Sequence, residues 1–289
     1  MFWIQHESSF LIQLAVLGLG VGFLTGLFGV GGGFIVTPVM ISMLGIDPTI
    51  AVGSSLGFTF GASALGLRRH FRAGNFEART SWLVGGGATV GTWFGYVLHK
   101  IAAQASGQQF DWYISIAFFA LLVAIAIVIA CTADRVTEPN SLLAKLRLPP
   151  YISIPKIGVA QMSVSGLLAA GILVGILSGF FGIGGGVILL PILVLVVGLT
   201  PHLAVGTSLG AILLCSAVGC ALYAFGSRTV DIGIIAALIV GSWLGTILGA
   251  RLCRKLHAEH LHRLFAVVVG ATAIVLLINT LTIWGSTNE

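Results

Sequence analysis

The chain has 289 residues, 57% of them hydrophobic and 8% charged, with a formal net charge of +5 at pH 7. That composition lies far from the soluble globular average and reads as a membrane protein, which excludes a soluble globular domain. The positive charge is small and confined to loops, so it carries orientation and gives no footprint for nucleic acid.

In chain order, the N-terminal MFWIQHESSF has neither a basic n-region nor a small-residue cleavage site, and no removed signal peptide is expected. Apolar stretches then run over residues 10–45, 49–67, 81–98, 112–133, 163–199, 203–225, 232–250 and 264–284. Most are close to the ~20 residues that cross a bilayer. The first and fifth are longer: as single helices they would reach about 54 Å, against a hydrocarbon core of about 30 Å. Each is interrupted by three consecutive glycines and then by Pro38 or Pro191, so each is predicted to be a helix, a glycine-rich break and a shorter second helix. Between the two sets lies a polar stretch whose Pro139, Pro149, Pro150 and Pro155 disfavour a long helix. The predicted organisation is an N-terminal transmembrane repeat over 1–133, a cytoplasmic linker over 134–161 and a C-terminal transmembrane repeat over 162–289.

The long stretches are copies of one another. Residues 21–57 and 174–210 align without a gap and match at roughly half of their 37 positions, chiefly at glycines and at Pro38 and Pro48. Gly- and Pro-interrupted segments at corresponding places in two halves point to the binding site of a transporter. The charges give the orientation. Residues 68–79 hold four Arg, whereas their counterpart 226–231 holds Arg228 and Asp231; residues 99–111 hold Lys100 and Asp111, whereas 251–263 hold four basic residues. Under the positive-inside rule, 68–79, 134–156 and 251–263 are cytoplasmic, which puts equivalent loops on opposite sides and both termini outside. The fold class is therefore expected to be all-α: a polytopic membrane protein of two inverted-topology repeats. Each repeat has three transmembrane helices and a Gly-broken segment that is re-entrant or crosses twice. No formally charged residue lies mid-span, which argues against a carboxylate-driven antiporter or a cation pump.

The motif pair GLFGVGGGFIVTPVM and GFFGIGGGVILLPIL, each followed by a Pro and then AVGSSL or AVGTSL, resembles the sulfite exporter TauE/SafE family, also called the TSUP family. RAGN at 72–75, GTWFG at 91–95 and GSWLG with GARL at 241–252 add to the resemblance, which covers nearly the whole chain. It implies a plasma (inner) membrane carrier of sulfur-containing anions such as sulfite, thiosulfate or an organosulfonate. Departures are modest: GYVL at 95–98 where the second half has GARL, and Leu190 in place of the hydroxyl of Thr37.

From the residues themselves, the candidate substrate site is the pair of breaks: Gly31, Gly32, Gly33 and Phe34, with Gly184, Gly185, Gly186 and Val187. A helix starting after such a break presents unpaired N–H groups with a positive dipole end, which suits an anion without a charged side chain. The hydroxyls of Ser54, Ser55, Thr207 and Ser208 follow each break and can donate to an oxyanion; interhelical hydrogen bonding is the alternative reading. Gly53 to Gly57 and Gly206 to Gly210 also match the G-x-S-x-G nucleophile pattern, which is rejected because that pattern needs a strand-to-helix turn and an activating His or acid. Arg68, Arg69, Arg72 and Asn75 are possible gate residues, with topology signal as the alternative. Trp93 and Trp243, also possible gate residues, occupy matching mid-span positions, where lining the cavity and filling a core gap are equally open. Cys131, Cys215, Cys220 and Cys253 lack metal spacing and are read as packing residues, so no metal or cofactor is expected. The expected function is export of a small sulfur anion by alternating access. An anion-selective channel is the nearest rival, and a non-transport membrane module a more distant one. The partners are that anion and the bilayer, with the oligomeric state open.

Overall fold

A computed structural model describes residues 8–106, 110–131, 149–154 and 159–287. It is almost entirely helical. The first half comprises α1 (Ser8–Phe28), α2 (Gly33–Ser42), α3 (Pro48–Arg72), α4 (Ala78–Ser106) and α5 (Phe110–Cys131). The second comprises α6 (Val164–Phe181), α7 (Gly186–Pro191) with a π-helical continuation Ile192–Val196, α8 (Pro201–Ala221) with a π-helical end Leu222–Ser227, α9 (Ile232–Cys253) and α10 (Ala258–Thr287). Among the described residues, six helices are long and apolar enough to cross a membrane: α1, α3, α5, α6, α8 with its π-helical end, and α9.

Both long apolar stretches break where the triple glycine predicts. The second helix of each then folds back along the first. Gly32 lies against Val21 and Thr25 of α1, and Gly185 lies against Val174 and Ser178 of α6. Leu14 and Val21 of α1, Val36 and Met40 of α2, Phe58 of α3 and Leu238 of α9 share one buried apolar cluster, which seats α2 in the bundle. Pro48 and Pro201 occupy the first turns of α3 and α8, where a missing N–H costs nothing, and Asp47 caps α3 through Thr49 N.

Helix directions follow from which glycine meets which residue. Gly18, Gly22 and Gly26 of α1 meet Leu238, Ser242 and Thr246 of α9 in that order, so the two run parallel. Gly87, Gly91 and Gly95 of α4 meet Leu168, Ile172 and Ile176 of α6, again in parallel. A Cβ at Gly91 would lie 2.1 Å from the Ile172 carbonyl oxygen, so these glycines set the closeness of the helix pair. At the centre, α3 and α8 run antiparallel, with Gly66 against Leu209 and Leu56 against Gly219. α3 is the innermost span, 67% buried over its most apolar window against 28% for α5. Around them, Val16, Trp82, Phe225, Ile232 and Val240 are exposed, an apolar exterior that only a bilayer would solvate well.

The linker expected over 134–161 falls largely outside the described residues, including Pro139 and Pro155. Its described portion holds a feature the proline argument did not anticipate: β1 (Tyr151–Ile154) pairs antiparallel with β2 (Val159–Ser163), Tyr151 opposite Ser163. Ser163 then caps α6 by accepting from Gly166 N at 3.1 Å.

Candidate functional site

The two breaks touch each other, and the three glycines of each face three different neighbours. Gly33 lies against the Gly182 and Ile183 carbonyls of the other break, and Gly186 against Val30; added Cβ atoms would sit 2.5 Å and 2.0 Å from carbonyl oxygens. Gly32 and Gly185 are the left-handed N-caps of α2 and α7, at φ 82° and 77°, and neither helix start takes a side-chain cap. Gly31 and Gly184, at φ 73° and 71°, face the same side chain of α3. A Cβ would fall 2.7 Å from Thr59 Cγ2 at Gly31 and 2.3 Å from it at Gly184. One threonine is thus wedged between both breaks, with Ile212 of α8 beside Gly31.

The four hydroxyls singled out in the sequence stitch the halves together. Ser55 donates to the Gly182 carbonyl at 2.8 Å, and Ser208 to the Gly29 carbonyl at 2.8 Å. Both glycines are in the left-handed region, which turns these carbonyls out of their helices. Thr37 Oγ1 adds a 2.8 Å bond to Ser55 Oγ; Leu190 stands at the equivalent place in the second half and supplies none. Thr207 Oγ1 accepts from Glu77 N and Ser54 Oγ from Asp231 N, both at 3.0 Å. Glu77 and Asp231 each sit at the head of the next long helix: Glu77 accepts from Arg79 N and Thr80 N, and Asp231 from Gly233 N and Ile234 N. Each hydroxyl therefore links a span of one half to an element of the other. Ser55 and Ser208 lie inside helices, which removes the strand-to-helix context of a nucleophile elbow.

Buried hydroxyls without protein partners occur at Thr80, Thr229 and Thr246, and two more lie further along α3 beside the breaks. Thr59 Oγ1 and Ser63 Oγ are completely buried and unpaired, one and two turns past Ser55. Sequence reasoning missed them because neither belongs to the repeated block, which ends at Gly57. The signal available was helical spacing: Ser55, Thr59, Ser63, Gly66 and His70 form one stripe at i, i+4, i+8, i+11 and i+15. At the equivalent places α8 has Ile212 and Ser216, and Ser216 is bonded to its own Ile212 carbonyl at 2.6 Å. Residues 31–34 and 184–187 are all buried, so this meeting point is closed to solvent in the conformation described.

Of the possible gate residues, Arg69 and Arg72 line one cavity at the end of α3, where sequence spacing did not reveal that Arg251 and Arg254 of α9 join them. Arg68 is exposed and does not line it, and Asn75 lies with its carbonyl against Gly206 of α8. Trp93 and Trp243 correct the expectation made for them. They are 50% and 57% exposed on the outer surface, so they neither line a cavity nor fill the core. Their face of the helix is opposite the glycine face that packs inward. Cys215 is buried with Sγ 3.7 Å from the Gly184 carbonyl, beside the break.

The family model described as sulfite exporter TauE/SafE matches residues 14–276. Similar proteins include the probable membrane transporter protein YjnA of Bacillus subtilis, 28% identical over 92% of this chain and 99% of its own length. A probable membrane transporter protein of Xylella fastidiosa is 29% identical over 93% of this chain and 95% of its own. Another, of Methanocaldococcus jannaschii, is 27% identical over 95% and 99%. No solved structure matches. With the doubled glycine break, the apolar exterior and a family match spanning both halves, the chain belongs to the sulfite exporter TauE/SafE family of multi-pass membrane proteins.

Proposed function

We propose that this protein is a membrane transporter that carries sulfite, or a related small sulfur anion such as thiosulfate or an organosulfonate, by alternating access. The observation that carries the reading is the pair of orphan hydroxyls, Thr59 and Ser63, buried beside two glycine-built helix breaks. A buried hydroxyl without a partner costs about 1–3 kcal/mol, which a transported oxyanion accepting its hydrogen bond would offset. The uncapped start of α2 adds N–H donors and a positive dipole end to the same region. Gly31, Gly33, Phe34, Gly184, Gly186 and Val187 would shape the site, while Ser54, Ser55, Thr207 and Ser208 hold the halves in register around it.

The halves are read as opposed in the bilayer. In support, α1, α3 and α9 run one way while α4, α6 and α8 run the other. Rocking of one half on the other would exchange access around a fixed site. Placed by the positive-inside rule in the plasma (inner) membrane, the ends of α3 and α9 face the cytoplasm and both chain termini face out. An inside-negative potential contributes about 2.3 kcal/mol per charge per 100 mV, which favours anion export. The three segments 1–133, 134–161 and 162–289 serve as two half-carriers and their tether.

The test is counterflow in proteoliposomes loaded with sulfite, thiosulfate or a short sulfonate, with chloride as the control anion. Saturable exchange of a sulfur anion is expected. Unsaturated conductance would identify a channel, and no flux with any of the anions would sink the transport reading.

A further inference from the structure

At the ends of α3 and α9 lies a cavity of about 280 Å³ whose walls are strongly cationic. Arg69 and Arg72 come from the last turn of α3, Arg251 from the last turn of α9, and Arg254 is the residue that caps α9. Each pair is spaced i, i+3, so both guanidinium groups of a pair emerge on one side of their helix. The two helices are parallel, with Gly57 against Ile235 and Gly61 against Ile239, and they finish at the same level. No acidic side chain among the described residues lines the cavity. Glu77, the acid that follows Arg72 in sequence, is 6% exposed and uses its carboxylate to cap α4. Ala250 and Ile247 give the cup an apolar wall, which lowers the local dielectric and strengthens the field of the four cations.

Topology alone asks only that basic residues be numerous at this end. It does not ask that they converge: Arg68, Arg79 and Lys255 belong to the same end and do not line the cup. Four like charges around one small cavity repel each other unless an anion sits among them, and guanidinium forks match an oxyanion in bidentate fashion. A second observation lies in the same cup. His70, 1% exposed, lines it and donates its Nε2–H to the Gly26 carbonyl at 3.0 Å, which leaves Nδ1 an unpartnered acceptor that the O–H of a singly protonated oxyanion would meet. His70 also ends the α3 stripe that begins at Thr59, so the cup opens over the same helix face as the orphan hydroxyls.

We propose that Arg69, Arg72, Arg251 and Arg254 form a second oxyanion site, separate from the glycine breaks, that takes a small tetrahedral or pyramidal oxyanion, with His70 Nδ1 beside it as an acceptor for the O–H of a protonated form. Its placement at an inner mouth, where it would concentrate anions before they enter, rests on the transport reading; its binding of an oxyanion does not. The same chemistry could be met by a free ion or by the phosphate of an anionic lipid.

The experiment is calorimetric titration of sulfate into the purified full chain in nanodiscs of zwitterionic lipid, at constant ionic strength set with chloride. Saturable binding is expected in the wild type. It should weaken at least ten-fold in Arg251→Gln/Arg254→Gln and, as a second variant, in Arg69→Gln. Lys255→Gln, outside the cup, should bind like the wild type. Undiminished sulfate binding in both Arg variants would overturn the proposal. Repeating the titration in nanodiscs containing phosphatidylglycerol separates the sources: sulfate binding suppressed by that lipid assigns the cup to a headgroup phosphate, and binding unaffected assigns it to a free oxyanion. Loss of counterflow with sulfate binding intact would remove the transport reading and leave the cup standing.

Discussion

His70 and Tyr223 hold equivalent carbonyls in the two halves with different chemistry. His70 Nε2 reaches the Gly26 carbonyl at 3.0 Å, and Tyr223 donates its hydroxyl to the Gly179 carbonyl at 2.9 Å. Gly26 and Gly179 lie in the last turns of α1 and α6, where a carbonyl loses its helical donor because the chain breaks. Each side chain therefore terminates a broken helix from across the bundle. Tyr has one polar atom and it is used. His has two, and the second, Nδ1, is left over at the cationic end. The opposite end is closed by rings instead, with Tyr96 and His99 packed edge-on against Tyr223 at 5.0 Å and 5.5 Å.

Tyr223→Phe is expected to leave a buried carbonyl unpaired without changing shape. The loss should be about 1–2 kcal/mol, read as a fall of about 2–4 °C in thermal unfolding of the purified protein. An unchanged midpoint would mean that the Gly179 carbonyl finds another donor and that the helix end is not held from across the bundle.

Thr59→Val and Ser55→Ala should behave in opposite ways. The Thr59 hydroxyl has no partner, so its removal by an isosteric methyl should leave stability unchanged or raise it by about 1 kcal/mol. Flux should nevertheless drop about ten-fold or more, the value of one hydrogen bond to a charged group. Ser55 is bonded to Gly182 and Thr37, and its loss should lower stability first. Measuring unfolding and counterflow for both variants checks the distinction. A Thr59→Val protein with wild-type flux would remove Thr59 from the site.

The glycine breaks, their duplication and the prolines that start α3 and α8 were legible because special backbone conformations restrict which residues can occupy them. Gly31 and Gly184 are therefore visible in sequence, while Thr59, which fills the space between them, is not. Nothing local marks a threonine as unpaired; that depends on which groups three other helices bring near it. The same limit applied to Ser54 and Thr207, whose partners are main-chain N–H groups at the starts of α9 and α4. It also applied to Arg251 and Arg254, whose meeting with Arg69 depends on two helices ending together. Trp93 and Trp243 misled for a related reason: a mid-span position says nothing of which face of the helix looks inward, and here the glycines took the inner face.

Gly184→Ala should be harmful for two separable reasons. The left-handed backbone costs a non-glycine residue about 1–2 kcal/mol. The new methyl would also sit 2.3 Å from Thr59 Cγ2. Thr59→Ser removes that Cγ2 and should recover the steric part, so a double-mutant cycle should give a coupling of about 0.5–3 kcal/mol. Additive effects in unfolding experiments would show that Gly184 and Thr59 do not touch. Gly185→Ala is a poorer probe of the site, because its methyl would meet Val174 of the preceding helix.

Orientation can be read from two exposed positions on different helices. α2 folds back along α1, which brings Met43, 58% exposed, to the end of the bundle where α1 begins. α9 runs parallel to α1 and α3, so Lys255, just past its end, is exposed at the far end with the arginine cup. Convergence of Arg69, Arg72, Arg251 and Arg254 there is the reason the proposed orientation puts that end in the cytoplasm under the positive-inside rule. In a background with Cys131, Cys215, Cys220 and Cys253 replaced by Ala, an impermeant maleimide should label Met43→Cys in intact cells. It should reach Lys255→Cys only after permeabilisation. Labelling of both from outside would place the two positions at one end of the bundle and contradict the fold-back of α2. A clean reversal would keep the fold and turn the cationic cup outward, making it an entrance for uptake.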